Sequence, residues 1–338
     1  MPGPVQMYDG VLNTLSQQPI SHRSDQFSHD LTQLKNELCH FTNAEGCVIM
    51  NGSGTLANEV IGVHLKCIGG KGIILSNGEF GERLQKQGNQ LGLNFIELTY
   101  QWNTSFDLAQ LNEYCNTQII DWVWFVHCET STGMMNPLKE IVELVQAKQI
   151  KVCVDCMSSI ANVALDLSTV YLASASSNKG LASIPGLALL FYNDLIEVGE
   201  KKSMYLDVFN YINKIPYTIS TNVVYSLVKS LSFIKKEAHS KRIINCSGRL
   251  KTALQSTDLE LLEVNGKRYN PTIFTLKSNT QSSIEIGDRL AKKGVYIHYK
   301  SDYLLKNNCF QVCIMGKTSI EAVDMFIEGY KKCYFSNR

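Results

Sequence analysis

The sequence predicts an α/β fold, a large domain on a mostly parallel sheet flanked by helices, with a smaller α+β domain after it. Three observations predict this. Short β-rich apolar runs alternate with helical stretches between residues 44 and 192, polar or glycine-containing segments follow those runs directly, and the alternation resumes on a smaller scale past residue 237. The runs are Cys47 to Met50, Gly72 to Ser76, Asn94 to Leu98, Trp122 to His127, Val152 to Asp155, Val170 to Ala173 and Leu187 to Tyr192, enough for a seven-stranded sheet. From about Asn222 to His239 the period becomes helical, with Val223, Val224, Leu227, Leu231 and Ile234 on one stripe and a basic last turn suited to the helix dipole. A boundary near residue 237 divides a large domain, 21–237, from a small one, 238–338. In the latter, strands at Pro271 to Lys277, Gly294 to Tyr299 and Cys309 to Ile314 alternate with helices at Gln281 to Lys292 and Ser319 to Lys332.

Composition narrows the function. The chain has 338 residues, 44% hydrophobic and 19% charged, which excludes a disordered or fibrous protein. Its 32 Lys+Arg against 31 Asp+Glu give a net charge of +1, and the basic residues are scattered, so nucleic acid is not an expected partner. No apolar run approaches the roughly 20 residues a membrane helix needs. The start, Met1-Pro2-Gly3-Pro4, lacks a basic region followed by an apolar segment, so a cytoplasmic location is expected. Eleven cysteines, an odd number spread through apolar runs, read as reduced core residues rather than a disulfide framework.

Three segments carry chemistry. Asn51-Gly52-Ser53-Gly54-Thr55 lies between an apolar strand and a helical stretch, where glycines admit a close backbone approach and a helix N-terminus favours an anion. Gly52, Gly54 and Ala57 also fit a dinucleotide fingerprint, though no acidic residue clearly ends a strand at the expected distance; a simple capping turn is the bland alternative. Asp155 ends a buried strand, where a carboxylate needs a cation or several donors: it could bind a metal, cap a turn or face a protonated pyridine nitrogen. Lys179, in the small polar loop Ser174 to Gly180, could be solvated or could be a nucleophilic amine. Together, a phosphate cradle, a strand-end Asp and a downstream Lys are the three fixed points of pyridoxal phosphate: phosphate, ring nitrogen and aldehyde.

With those points, the chain resembles the class V, fold type I, pyridoxal-phosphate aminotransferases. Within them it is most similar to the 2-aminoethylphosphonate transaminases, then to the alanine–glyoxylate and serine–pyruvate enzymes. The resemblance runs from Pro2-Gly3-Pro4 to about Gly316 and is strongest over 126–133 (VHCETSTG), 77–83 (NGEFGER) and 176–186 (SSNKGLASIPG). It implies that Ser53, Gly54 and Thr55 hold the cofactor phosphate, with Asn178 beside it. Phe80 would stack on the pyridine ring, Met157 cover its other face, Thr130 lie near its hydroxyl, and Asp155 pair with its nitrogen. Lys179 matches the Schiff-base lysine that shuttles the proton. Thr218 matches a threonine that in relatives reaches the neighbouring subunit's phosphate, and residues 1–20 match an arm that crosses to that subunit. The resemblance therefore implies a homodimer with sites at its interface, moving an amino group from a small donor, such as 2-aminoethylphosphonate, to pyruvate or a similar keto acid by a ping-pong cycle.

One position departs from the pattern. Where the family usually has an arginine that grips the substrate's anionic group, this chain has Gln311, which cannot make a bidentate ionic pair. Either another cation, Arg23, Arg83 or Lys300, takes that group, or the substrate carries none there. A lyase, decarboxylase or desulfurase on the same fold, an idle cofactor-binding homologue, and a dehydrogenase are the competing readings. Cys153 and Cys156 span a strand end in a spacing unsuited to a metal, and no metal is expected. His127 is expected to be packed and hydrogen-bonded, Glu129 to orient a neighbour, and Trp102 to lie in surface packing.

Overall fold

The seven apolar runs form one sheet because their residues alternate between two buried faces. The computed structural model describes residues 1–194, 203–212, 214–234, 238–263 and 270–335. The strands are β1 (Gly46–Asn51), β2 (Gly72–Ser76), β3 (Phe95–Thr99), β4 (Trp122–Val126), β5 (Lys151–Asp155), β6 (Leu172–Ser176) and β7 (Leu187–Tyr192). Their order is β1-β7-β6-β5-β4-β2-β3; β7 runs antiparallel to both neighbours and every other pairing is parallel. In β4, Val123 and Phe125 join one core while Trp122, Trp124 and Val126 join the other, the period of two expected of a strand. Both faces are therefore covered. One core packs under α1 (Asp25–Thr42), the other under α2 (Gly54–Ile68), with α3 (Glu79–Gln90), α4 (Leu108–Thr117) and α5 (Leu138–Gln146) filling the crossovers.

Helix boundaries follow local chemistry. The Ser24 side chain accepts from the Phe27 amide to open α1, and Asn43 closes it in the left-handed conformation with φ 56°. Strand β6 reaches Ser176 rather than ending at Ala173, because its small residues are buried throughout and pair with β7 up to Ser176↔Ala188.

The stretch expected to be helical over 222–239 is helical where described, in Thr221–Ile234 (α6) and at the start of Ala238–Leu254 (α7), and the expected boundary at 237 lies outside the described residues. Beyond it a separate set of apolar side chains, including Ile243, Leu250, Phe274, Leu290, Phe310 and Tyr330, packs around an antiparallel sheet of β8 (Leu259–Leu261), β9 (Ile273–Ser278) and β10 (Cys309–Cys313), with α8 (Ser283–Ala291) and α9 (Ile320–Phe335). The strand expected at 294–299 is reduced to one bridge, His298↔Gln311. Its alternation is genuine, since Ile297 and Tyr299 are buried, but the backbone meets β10 at that residue alone.

Residues of the expected arm pack against the rest of this chain. Val5, Tyr8 and Val11 are buried, the Tyr8 hydroxyl is 2.7 Å from His239 Nδ1, and Arg242 donates to both Tyr8 Oη and the Gly316 carbonyl. Among the described residues no helix is long and apolar enough to cross a membrane.

Candidate active site

The polar segments predicted to follow the strands converge because β1, β4, β5 and β6 all end at the same edge of the sheet. At the end of β1, Gly52 has φ 154° and its amide donates to the Gly186 carbonyl at 2.8 Å, at the foot of β7. Ser53 is the N-cap of α2 but its side chain makes no capping bond. The Ser53 and Thr55 hydroxyls are exposed beside the open amides of the first helical turn, an arrangement suited to a phosphate. Gly54 is fixed by sterics: a Cβ there would lie 2.1 Å from Met157 Sδ, so the methionine packs directly on the helix start.

Asp155 ends β5 and is buried. Its Oδ1 accepts from the Met157 amide and its Oδ2 from Asn58 Nδ2, each at 2.9 Å. Asn58 is held by Ser174 Oγ at 2.5 Å, so the carboxylate is braced from β6 through the first turns of α2. One hydrogen bond per oxygen leaves lone pairs for a further donor.

Lys179 follows β6. Its Nζ donates to Ser158 Oγ at 3.1 Å and stands 5.0 Å from the centre of the Phe80 ring. Ser158 Oγ is 2.5 Å from Thr130 Oγ1, so lysine, serine and threonine form one chain. A Cβ on Gly180 would meet the Ile160 carbonyl at 1.9 Å, so the turn after the lysine admits no side chain. Asn178 is half-buried, and its carbonyl accepts from the Val5 amide. Gly3 lies over the lysine stem, with 3.4 Å between a Cβ built there and Lys179 Cγ.

Phe80 opens α3, where Glu129 replaces a conventional cap. This fully buried carboxylate accepts from the amides of Phe80 and Gly81 and from Ser131 Oγ. Burial raises its pKa against the lowering effect of those donors. Glu129 thus orients the helix that carries Phe80.

Gln311 is bonded to the 130–131 turn. It is fully buried on β10, and its amide NH₂ donates to the carbonyls of Thr130 and Ser131 and to Thr275 Oγ1, while its Oε1 has no partner. Arg23 is exposed, with its backbone amide bonded to Ser21 Oγ, and the structure does not bring it to the other site residues. Thr218 is exposed and its carbonyl accepts from Asn51 Nδ2 at 2.8 Å, next to the phosphate turn of its own chain.

His127 is buried as expected, but its Nδ1 has no partner, and burial lowers its pKa to about 4. It lines a cavity of about 730 Å³ together with Phe106, Met134 and Leu138, which contains none of the residues above. Trp102 donates to Glu82 and packs on Tyr303, an outer contact. No cluster of three or more metal-ligating side chains occurs among the described residues.

Sequence reasoning missed Asn58 and Ser158. Asn58 had a signal, a lone amide among Ala57, Val60 and Ile61 on the buried face of α2. Ser158 had none, because its partners are 21 and 28 residues away.

Residues 6–299 match the sequence profile of the family Aminotransferase class-V, and the chain belongs to that family. It is 30% identical over 253 residues to the soluble hydrogenase 42 kDa subunit of Anabaena cylindrica, covering 70% of this chain and 66% of that protein. It is 29% identical over 241 residues to the 2-aminoethylphosphonate–pyruvate transaminase of Pseudomonas fluorescens, covering 66% of this chain and 65% of that one. The matched part thus spans about two thirds of these relatives' length. The fold superposes on the alanine–glyoxylate aminotransferase of Nostoc sp. with TM-score 0.89 at 23% identity, over 98% of this chain and 94% of that one.

Family membership implies pyridoxal 5'-phosphate as cofactor, and the residues fit it. The open amides and hydroxyls at α2 suit its phosphate, the free lone pairs of a braced Asp155 suit its ring N–H, and a primary amine stands against an aromatic ring.

Proposed function

We propose that the protein is an aminotransferase that moves an amino group from a small donor to pyruvate or a similar keto acid, with 2-aminoethylphosphonate the donor class its relatives suggest. The observation that carries this reading is Lys179 Nζ, held by Ser158 against Phe80 one strand away from Asp155. When bound, pyridoxal phosphate supplies an electron sink for the carbanion left as the donor's α-carbon loses its proton. In our reading Asp155 holds a proton on the ring nitrogen, Ser53, Gly54, Thr55 and Asn178 bind the phosphate, and Phe80 and Met157 flank the ring. Thr130 faces the ring hydroxyl. Lys179 Nζ accepts the α-proton and returns it on the far side of the transfer, general base and then acid. A homodimer is part of the proposal, supported by the exposure of Thr218 beside the phosphate turn. A cytoplasmic location is also part of it, supported by buried free thiols such as Cys47, Cys153 and Cys246.

A desulfurase reading is weaker, since Cys128, a cysteine within electrostatic reach of Lys179, is buried and bonded by Asn270 Nδ2, and burial pushes its thiol pKa up to about 12.

The test is the long-wavelength absorbance of the lysine-bound cofactor in purified protein, titrated with 2-aminoethylphosphonate, alanine, serine, cysteine and aliphatic amines. We expect one donor to abolish the band and pyruvate to restore it, with Lys179→Ala showing no band at all. No band after reconstitution with the cofactor would overturn the reading; a band that no amine converts would transfer it to an idle or lyase site.

A further inference from the structure

The position that should hold a substrate anion is occupied by an amide turned to another task, so the anion needs another cation. Gln311 is fully buried, and three acceptors fix which end of its amide is the nitrogen. Arg242 is committed to Tyr8 and the Gly316 carbonyl, Arg249 to Asp324, and Lys317 to Asp9. Lys300 rests on Tyr299, and Arg23 touches no site residue among the contacts described.

Arg83 differs. It lies on the opening turns of α3, its guanidinium carbon 4.7 Å from the centre of the same Phe80 ring that Lys179 Nζ faces at 5.0 Å. Its side chain is 42% exposed, and it gives one hydrogen bond, 2.9 Å, to Glu79 Oε1. Glu79 is similarly exposed, and an i,i+4 surface pair of this kind holds its arginine weakly. A guanidinium has five donors, so most of its fork remains available to a phosphonate or carboxylate, which it can meet with two parallel bonds. The helix beneath it is pinned by Glu129 on the Phe80 and Gly81 amides, so the cation is presented from a fixed support.

We propose that Arg83 grips the anionic group of the substrate, making the donor a small primary amine that carries a phosphonate or carboxylate, with Gln311 holding the 130–131 turn instead. This rests on the aminotransferase reading of the cleft. It makes Arg83 a specificity-determining residue, with Phe80 as the wall shared by the reacting amine and the anion.

The experiment is calorimetric titration of methylphosphonate, which has no amine and cannot react, into the cofactor-loaded protein at fixed ionic strength. Wild type and Lys300→Gln should bind alike, Arg83→Gln roughly ten- to a hundredfold more weakly, as loss of a charge-assisted pair requires. Arg83→Lys, which keeps the charge without the fork, should fall between. The band of the lysine-bound cofactor reports that each variant is folded and loaded. No binding by wild type, equal affinity in Arg83→Gln, or an equal loss in Lys300→Gln would each overturn the proposal. Because this titration needs no turnover, its failure is distinguishable from failure of the aminotransferase reading, which shows as a band that no amine converts.

Discussion

Replacing Gln311 by methionine, which nearly conserves its volume, removes both ends of the buried amide at once. On the donor side, the carbonyls of Thr130 and Ser131 lose bonds of 2.8 and 3.3 Å, and Thr275 Oγ1 loses one of 3.0 Å but keeps its own bond to the Thr132 carbonyl. Two orphaned buried carbonyls and one weakened hydroxyl amount to about 3–4 kcal/mol at roughly 1–2 kcal/mol for each group. On the acceptor side, Oε1 has no partner, so deleting it relieves a desolvation cost of about 1–2 kcal/mol. The loss is the larger, and the net destabilisation is about 2 kcal/mol. With a denaturant dependence near 3 kcal/mol per molar, this lowers the urea midpoint by about 0.7 M. Tryptophan fluorescence during urea unfolding of wild type and Gln311→Met measures it. A midpoint that stays put or rises would refute the argument that this amide is a strut.

Ser158→Ala removes the hydroxyl that accepts from Lys179 Nζ and so the bond that fixes the amine in place. The rate of cofactor capture by the empty protein should fall by roughly three- to tenfold, the worth of one such hydrogen bond, and an unchanged rate would show that the contact is incidental. Burial holds both His64 and His127 near a pKa of about 4, below their ordinary 6.5, so between those values the unfolded chain binds more protons than the folded one. Their contribution to stability is full above pH 6.5 and lost as pH falls towards 4; thermal melts across that window should show the loss, with a smaller slope in His127→Gln. Gly180→Ala forces a Cβ to 1.9 Å from a backbone carbonyl, whereas Gly54→Ala meets the flexible end of Met157. The first should lower stability by about 3 kcal/mol or more and the second by about 1–2, and comparable melting temperatures would refute the ranking.

Much of this was legible in the sequence because it is local. All seven strands of the large sheet declare themselves as apolar runs, and Asp155 and Lys179 stand at strand ends where the chain must turn. The illegible parts depend on distant partners. Asn58 braces a carboxylate 97 residues away, and Gln311 reaches a carbonyl 181 residues away. The residue at 311 shows most clearly why: its identity announces that an arginine is missing, but only packing shows that the amide has turned to the 130–131 turn. Alternation misled at 294–299 for the converse reason, since side chains can alternate in burial where the backbone makes a single bridge.

The knot of Tyr8, His239, Arg242 and Gly316 has a consequence for how the protein is made. Tyr8 meets partners 231 and 308 residues further along, so this seat does not exist until the chain as far as Gly316 has left the ribosome. Contacts of such sequence separation form slowly, because a long loop must be closed before they repay it. During synthesis the segment that will lie over Lys179 must wait unplaced, and the cleft is closed only when the residues around Tyr8 join those around His239 and Gly316.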